Sequence, residues 1–161
     1  MTYKALARSL ATPALLLAAA FTPALAQNGG DDRSGKLEGT WITTVTRRDC
    51  NTGGAVGGAA TALNTFNRGG TMIDTTTLIG PAQRSPGLGT WERTGGDTYS
   101  AVSIAFIFDA AGVWTQTQKL IHSLTVNGNA LKFDSTVVFY DAAGNVVRTG
   151  CATAVAERLL L

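Results

Sequence analysis

Two residue pairs near the ends of the chain limit the folds that are open to it. Trp41 and Arg158 have position numbers that sum to 199, and Cys50 and Cys151 have position numbers that sum to 201. Residues that face each other in two antiparallel strands keep a nearly constant sum, so one pairing of the first strand with the last brings both pairs together. A first strand that pairs with the last one closes a sheet into a barrel.

Short runs of Thr, Val, Ile and aromatic residues recur after residue 37, separated by Gly, Asn and Asp, and no segment has the period of an amphipathic helix. This pattern is typical of an all-β chain. It predicts eight strands, at about 38–48, 59–66, 70–79, 87–94, 97–108, 112–126, 129–141 and 145–158. We therefore expect a single eight-stranded up-and-down antiparallel β-barrel, with an open sandwich as the alternative.

Most of the connections between these strands have the residues of tight turns. Gly, Asn or Asp stand where hairpins need a positive φ, as in the two D-A-A-G segments that begin at Asp109 and Asp141. Two longer links remain, at 51–58 and 80–86. The first is rich in glycine and the second holds two prolines, so we expect flexible loops at the rim of the barrel.

The first 26 residues have the pattern of a secretory signal peptide. Lys4 and Arg8 precede an apolar stretch that ends at the A-x-A site Ala24-Leu25-Ala26. We expect cleavage after Ala26, a flexible polar lead-in over 27–36 and a barrel domain over 37–161. The apolar run is shorter than the ~20 residues that cross a bilayer, so we expect a secreted or periplasmic protein with no membrane span in its mature form.

Export changes the meaning of the charges and the cysteines. Lys4 and Arg8 are two of the 13 basic residues and none of the 11 acidic residues precedes Gln27, so the mature chain has no net charge. A neutral chain with scattered basic residues has no electrostatic surface for nucleic acid. In an oxidising compartment we expect the only two cysteines, Cys50 and Cys151, to form a structural disulfide, because the chain has no C-x-x-C motif.

Gly39-Thr40-Trp41 on the first strand and Arg158 on the last resemble the calycin superfamily, the barrels that include lipocalins and avidins. The resemblance implies that Trp41 plugs one end of the barrel and that Arg158 covers it, because an indole face attracts a guanidinium group. Both roles are structural. The chain is also similar to small secreted bacterial barrels and, in topology, to allene oxide cyclase and dirigent proteins.

Alternation along each predicted strand assigns one of its faces to the barrel interior. We assign inward the face of the fifth strand that carries Phe106, the face of the sixth from Trp114 to Val126, and the face of the seventh from Leu131 to Phe139. Asn64 and Asp74 can join the polar residues of this otherwise apolar set. A mostly apolar cavity with a few polar groups is the usual make-up of a small-molecule pocket. The candidate ligand-binding residues are Phe106, Trp114, Gln116, Gln118, His122, Phe133 and Ser135.

An alternative interpretation of these polar residues is that they satisfy one another or face the solvent. His122 is the only histidine, and with a carboxylate such as Asp74 within hydrogen-bonding reach it would be a general base. These two are the candidate catalytic residues, and the competing interpretation of His122 is a hydrogen-bonded core or surface histidine.

One histidine and two cysteines make no multi-histidine metal site, and no phosphate-binding or serine-hydrolase motif occurs, so we expect no metal and no cofactor.

Two functions from different classes fit these patterns. The first is an exported, non-catalytic barrel that binds a small, largely apolar ligand. The second is a cofactor-free cyclase or isomerase of the allene oxide cyclase or dirigent type, in which a confined cavity folds a reactive substrate and one polar group stabilises developing charge. A buried carboxylate beside His122 distinguishes the second from the first. In a third possibility, side chains fill the barrel and its outer surface binds another protein.

Overall fold

Eight antiparallel strands form a closed barrel in the computed structural model, which describes residues 36–160. Each strand pairs with its neighbours in sequence, and β1 also pairs with β8. The strands are β1 (Gly39–Arg48), β2 (Ala60–Asn67), β3 (Thr71–Thr76), β4 (Gly87–Gly95), β5 (Thr98–Phe108), β6 (Trp114–Asn127), β7 (Ala130–Asp141) and β8 (Val146–Arg158). The predicted fold, an all-β eight-stranded up-and-down barrel, is confirmed, and the open sandwich is wrong.

The predicted signal peptide at 1–26 lies outside the described residues, as do residues 27–35 of the predicted lead-in and Leu161. Within the described part of the chain, no helix is long and apolar enough to cross a membrane.

Barrel closure follows the register that the residue numbers predict. Trp41 lies opposite Arg158, and the same register continues along the two strands until Arg48 lies opposite Cys151. The chain leaves the ladder after Arg48 and turns, so that Cys50 reaches Cys151 with the two Cα atoms 5.2 Å apart. The predicted disulfide is therefore confirmed, and it ties the loop after β1 to β8.

Trp41 fills one end of the barrel. Its side chain is fully buried, its indole N–H donates a hydrogen bond to the Leu37 carbonyl at 2.9 Å, and the Arg158 guanidinium carbon lies 4.2 Å from its ring centre. Arg158 also donates hydrogen bonds to the carbonyls of Lys36 and Glu38. These contacts hold the segment that precedes β1 across this end of the barrel.

Trp41 is part of a packed hydrophobic core that occupies this half of the barrel. Trp91 makes two aromatic contacts in this core. Its ring centre lies 6.3 Å from that of Phe66 and 5.7 Å from that of Tyr99. The core consists of Leu37, Trp41, Phe66, Met72, Trp91, Tyr99, Ala101, Leu124, Val126, Leu131, Phe133, Ala154 and Ala156.

Both D-A-A-G segments form the predicted hairpin turns. In each, the aspartate carboxylate accepts hydrogen bonds from the backbone N–H groups two and four residues later, at 2.8 to 2.9 Å. Gly112 and Gly144 close the turns with φ values of 79° and 88°, which residues with a Cβ rarely adopt. Local sequence therefore determines the β5–β6 and β7–β8 connections.

The orientation predicted for β5 is wrong. Ala101 and Ala105 face inward, whereas Phe106 is 50% exposed on the outer surface. Arg84 lies in the interior near Ala105, where it hydrogen-bonds Gln118, the residue opposite Ala105. The larger apolar side of β5 therefore faces the solvent.

The predicted orientation of Trp114 is also wrong, because a bulge interrupts β6. The register of the β5–β6 pair shifts between Ile107 and Phe108, which leaves Thr115 as an extra residue. One extra residue reverses the alternation of the faces beyond it. Trp114 is consequently 43% exposed and packs against Phe106 on the outer surface, with the ring centres 6.1 Å apart.

Reduction of the Cys50–Cys151 disulfide is expected to lower the free energy of unfolding by about 4 kcal/mol. The reason is that a cross-link between residues 101 positions apart removes chain entropy from the unfolded state. Unfolding in urea with and without a reductant measures the change. A C50A/C151A variant is the control. Its free energy of unfolding should equal that of the reduced protein and should not change when the reductant is added. Equal stability of oxidised and reduced wild type contradicts the prediction.

Candidate functional site

A cavity of about 750 Å³ occupies the interior of the barrel on the far side of the core from Leu37. Small-molecule sites in proteins have volumes of roughly 300–1,000 Å³. Val56, from the loop after β1, and Leu78, from the loop after β3, lie at its rim. Side chains therefore fill one half of the barrel interior and leave this half open.

Polar side chains occur in the cavity wall from the edge of the core toward the opening. On β6, for example, His122 lies between Leu124 in the core and Leu120 in the cavity wall. Gln118 lies two residues beyond Leu120 on the side away from the core. We call these residues the polar layer: Asn64, Asp74, Arg84, Gln118, His122 and Ser135. The rest of the wall near them is largely apolar, with Val45, Ala62, Leu120, Phe133, Val137, Phe139 and Ala154.

The structure brings together four of the seven predicted ligand-binding residues. These four line the cavity: Gln118, His122, Phe133 and Ser135. Phe106 and Trp114 lie on the outer surface for the reasons given above, and Gln116 is half-buried beside the bulge without lining the cavity. Asn64 and Asp74 are buried in the interior, as the alternation of β2 and β3 predicted.

Arg84 belongs to the polar layer, although no pattern in the sequence predicted that it would lie in the interior. It is only 5% exposed, and its Nη2 donates to the two carboxylate oxygens of Asp74 at 2.8 and 3.1 Å. Its Nε donates to Gln118 Oε1 at 2.7 Å. A buried arginine is tolerated when its charge is paired and its N–H groups are bonded, and both conditions hold here.

Burial of Arg84 also corrects the prediction of a flexible loop over 80–86. Arg84 forms a β-bridge with Ile107, and the backbone N–H of Ser85 donates to the Phe106 carbonyl at 3.0 Å. This part of the loop therefore runs along β5 as an extension of the sheet, and it carries the arginine into the interior.

Gly87 allows the Asp74 carboxylate to lie where it does. The two residues are opposite each other in the β3–β4 pair, and a Cβ atom on Gly87 would lie 1.8 Å from Asp74 Oδ2. A glycine inside a strand often marks such a close approach. Gly87 is thus a signal in the sequence for a group packed against β4, although it does not indicate which group.

His122 is held by two neighbours and retains one free nitrogen. Its Nδ1 is 2.7 Å from Ser135 Oγ, and its ring packs edge-on against Phe133 with 5.7 Å between ring centres. Its Nε2 is buried and has no hydrogen-bond partner among residues 36–160. Burial lowers the pKa of His122 to about 4, and the negative charge of Asp74 opposes this shift only in part. The imidazole is therefore neutral at neutral pH.

The two candidate catalytic residues do not form a pair. Asp74 accepts hydrogen bonds from Arg84, His122 is bonded to Ser135, and no hydrogen bond joins His122 to Asp74 within the described residues. A general base needs its partner groups within hydrogen-bonding reach. Over the same residues, no three His, Cys, Asp or Glu side chains are grouped so that they could hold a metal ion.

Comparisons with known proteins do not assign a family. No protein-family model matches the chain, and no curated protein matches it. Among solved structures, the chain is similar to Rv2717c from M. tuberculosis, with 14% sequence identity and a TM-score of 0.39 over 78% of this chain and 94% of that chain. Likeness at this level carries no argument about function.

The lowered pKa of His122 predicts that acid destabilises the fold. In the unfolded chain the imidazole returns to its usual pKa of 6.5, so between pH 6.5 and about 4 the unfolded state binds more protons than the folded state. The free energy of unfolding therefore falls as the pH decreases through this window, by roughly 3 kcal/mol in total.

Urea unfolding of the wild type and of a His122→Leu variant, from neutral pH to pH 4, measures this contribution. The variant retains the carboxylates, so the difference between the two curves isolates the imidazole. We expect the wild type to lose more stability than the variant as the pH decreases. Parallel curves for the two proteins contradict the prediction.

Proposed function

We propose that this protein is exported and binds one small, largely apolar molecule in the barrel cavity without transforming it. The observation that carries the proposal is the cavity itself, about 750 Å³ in volume and bordered by a buried imidazole with an unpartnered nitrogen. A barrel that served only as a scaffold would be more stable with that volume filled and that nitrogen bonded. An open interior of this kind is what a binding function requires.

The cavity wall supplies both contact area and orientation. Val45, Phe133 and Phe139 offer apolar surface, while Gln118 and His122 offer a few polar atoms. Burial of apolar ligand surface supplies most of the affinity in such a site, and a few polar groups determine which molecule fits.

Ligand entry is at the rim, where the loop over 51–58 contributes Val56. Cys50 and Cys151 lie beside this opening, and their disulfide holds the start of the loop against β8. The guanidinium group of Arg148 lies 3.9 Å from the ring centre of Phe139 at the same opening. The rim thus has one fixed side and one loop rich in glycine, whose movement can admit a ligand.

Export is part of the proposal. The basic and apolar pattern over 1–26 supports it, and so does the disulfide, because structural disulfides persist in oxidising compartments. A relationship to the calycins belongs to the proposal too, and the contact between Trp41 and Arg158 in an eight-stranded barrel supports it.

A cyclase or isomerase is supported less well. That function needs an acid and a base at close quarters, whereas His122 and Asp74 have separate partners in Ser135 and Arg84. The same polar layer suits a binding site, since its charges are neutralised within the protein.

Reducing the volume of the cavity is expected to weaken ligand binding. Ala62 lines the cavity and is 7% exposed, whereas its neighbour Leu63 points outward and is 46% exposed. We expect Ala62→Phe to weaken binding of the uncharged fluorescent probe N-phenylnaphthylamine by about tenfold or more, which corresponds to about 1.4 kcal/mol.

Leu63→Phe is the matched control, because it adds an aromatic ring on the outer face of the same strand. It should bind the probe as the wild type does. Fluorescence titration measures both affinities. A wild type that does not bind, or an Ala62→Phe variant that binds equally well, contradicts the proposal.

A further inference from the structure

We propose that the ligand of this cavity is uncharged and carries a hydroxyl or carbonyl group that hydrogen-bonds to His122 Nε2. The inference rests on the proposed function, since it assumes that the cavity is a ligand site, and it adds the chemical class of the ligand. Its basis is the distribution of bonded and unbonded polar atoms around the cavity.

His122 is the residue of the cavity wall that carries a buried polar atom without a partner in the described part of the chain. The protein covers this atom, so a ligand reaches it once the neighbouring side chains move. Within residues 36–160, three buried side-chain atoms have no hydrogen-bond partner: Glu38 Oε1, Ser103 Oγ and His122 Nε2. Of these three residues, only His122 lines the cavity. A buried polar atom without a hydrogen bond costs free energy, and a ligand group that bonds to it recovers that cost on binding.

Two contacts position the ring for this role. Ser135 Oγ holds Nδ1 at 2.7 Å, and Phe133 packs edge-on against the ring. Because Nδ1 is already bonded, Nε2 is the ring nitrogen that remains for a ligand. A site whose polar group is fixed before the ligand arrives loses less entropy on binding.

The Ser135 hydroxyl determines which ligand groups are suitable. If Nδ1–H donates to Ser135, then Nε2 accepts a hydrogen bond from the ligand, and if Ser135 donates to Nδ1, then Nε2–H donates to the ligand. A ligand hydroxyl fits both tautomers, because it can donate and accept, and a ligand carbonyl fits the second. A hydroxyl group therefore matches Nε2 in either state, and a carbonyl group matches it when Nε2 carries the proton.

An ionic group does not suit this part of the cavity, because the charges there are already matched. Asp74 accepts from Arg84 through both carboxylate oxygens, and Arg84 also donates to Gln118 and to the Ser85 carbonyl. A ligand carboxylate or ammonium group beside His122 would lose its hydration without gaining an opposite charge. The pair thus selects against charged ligands.

Basic residues at the rim offer a different site for a polar ligand group. Arg47 and Arg148 line the opening, so a fatty acid that enters tail first would place its carboxylate near them. The test must therefore compare an acid with an alcohol of the same chain length.

Isothermal titration of the mature protein at neutral pH with decanol, decanone, decene and decanoate makes this comparison. We expect decanol or decanone to bind about tenfold or more tightly than both decene and decanoate. In a His122→Leu variant this preference over decene should disappear. Decene binding by the variant also shows that its cavity is intact, and the ranking in the wild type stands without any variant.

The failures of the two proposals are distinguishable. If none of the four compounds binds, the proposed function is wrong and this inference falls with it. If decene binds as tightly as decanol and decanone, or if decanoate binds most tightly, the cavity is a ligand site and only the inference about His122 is overturned.

Discussion

Pairing of β1 with β8 is the constraint on which the rest of the structure depends. It closes the barrel, places Trp41 against Arg158 at one end, and brings Cys50 to Cys151 near the other. A closed barrel of eight strands has an interior of fixed width, so side-chain size decides whether it is filled. Between Arg148 at the opening and the core, the inner face of β8 carries the small residues Gly150, Ala152 and Ala154, and the interior is correspondingly open beside them.

The polar layer gives this opening a chemical character. Arg84 and Asp74 neutralise each other, so the inner end of the cavity holds buried polar atoms without a net charge. Burial then keeps the His122 imidazole neutral by lowering its pKa. The proposed preference for an uncharged ligand with a single polar group rests on this combination of an apolar wall, a neutral ion pair and one unbonded ring nitrogen.

The sequence predicted the parts of the structure that depend on local patterns. Turn residues at Asp109 and Asp141 predicted hairpins, and the alternation along β6 and β7 predicted the positions of His122 and Ser135. The closure was predicted by the matching position sums of two residue pairs, Trp41 with Arg158 and Cys50 with Cys151. Phe106 was assigned wrongly because both faces of β5 are apolar, and Trp114 because a bulge cannot be read from alternation. Arg84 was missed because its burial depends on Asp74 and Gln118, which are distant in sequence.

The central claim is that His122, in the wall of the cavity, keeps a neutral ring nitrogen unbonded until a ligand bonds to it. Because the chain has one histidine, ¹⁵N NMR of its imidazole tests this claim directly. The account predicts a ring that stays neutral down to a pKa of about 4, with an Nε2 resonance that moves on addition of decanol while Nδ1 stays nearly constant. A pKa near 6.5, or an Nε2 resonance unchanged by saturating ligand, would contradict it.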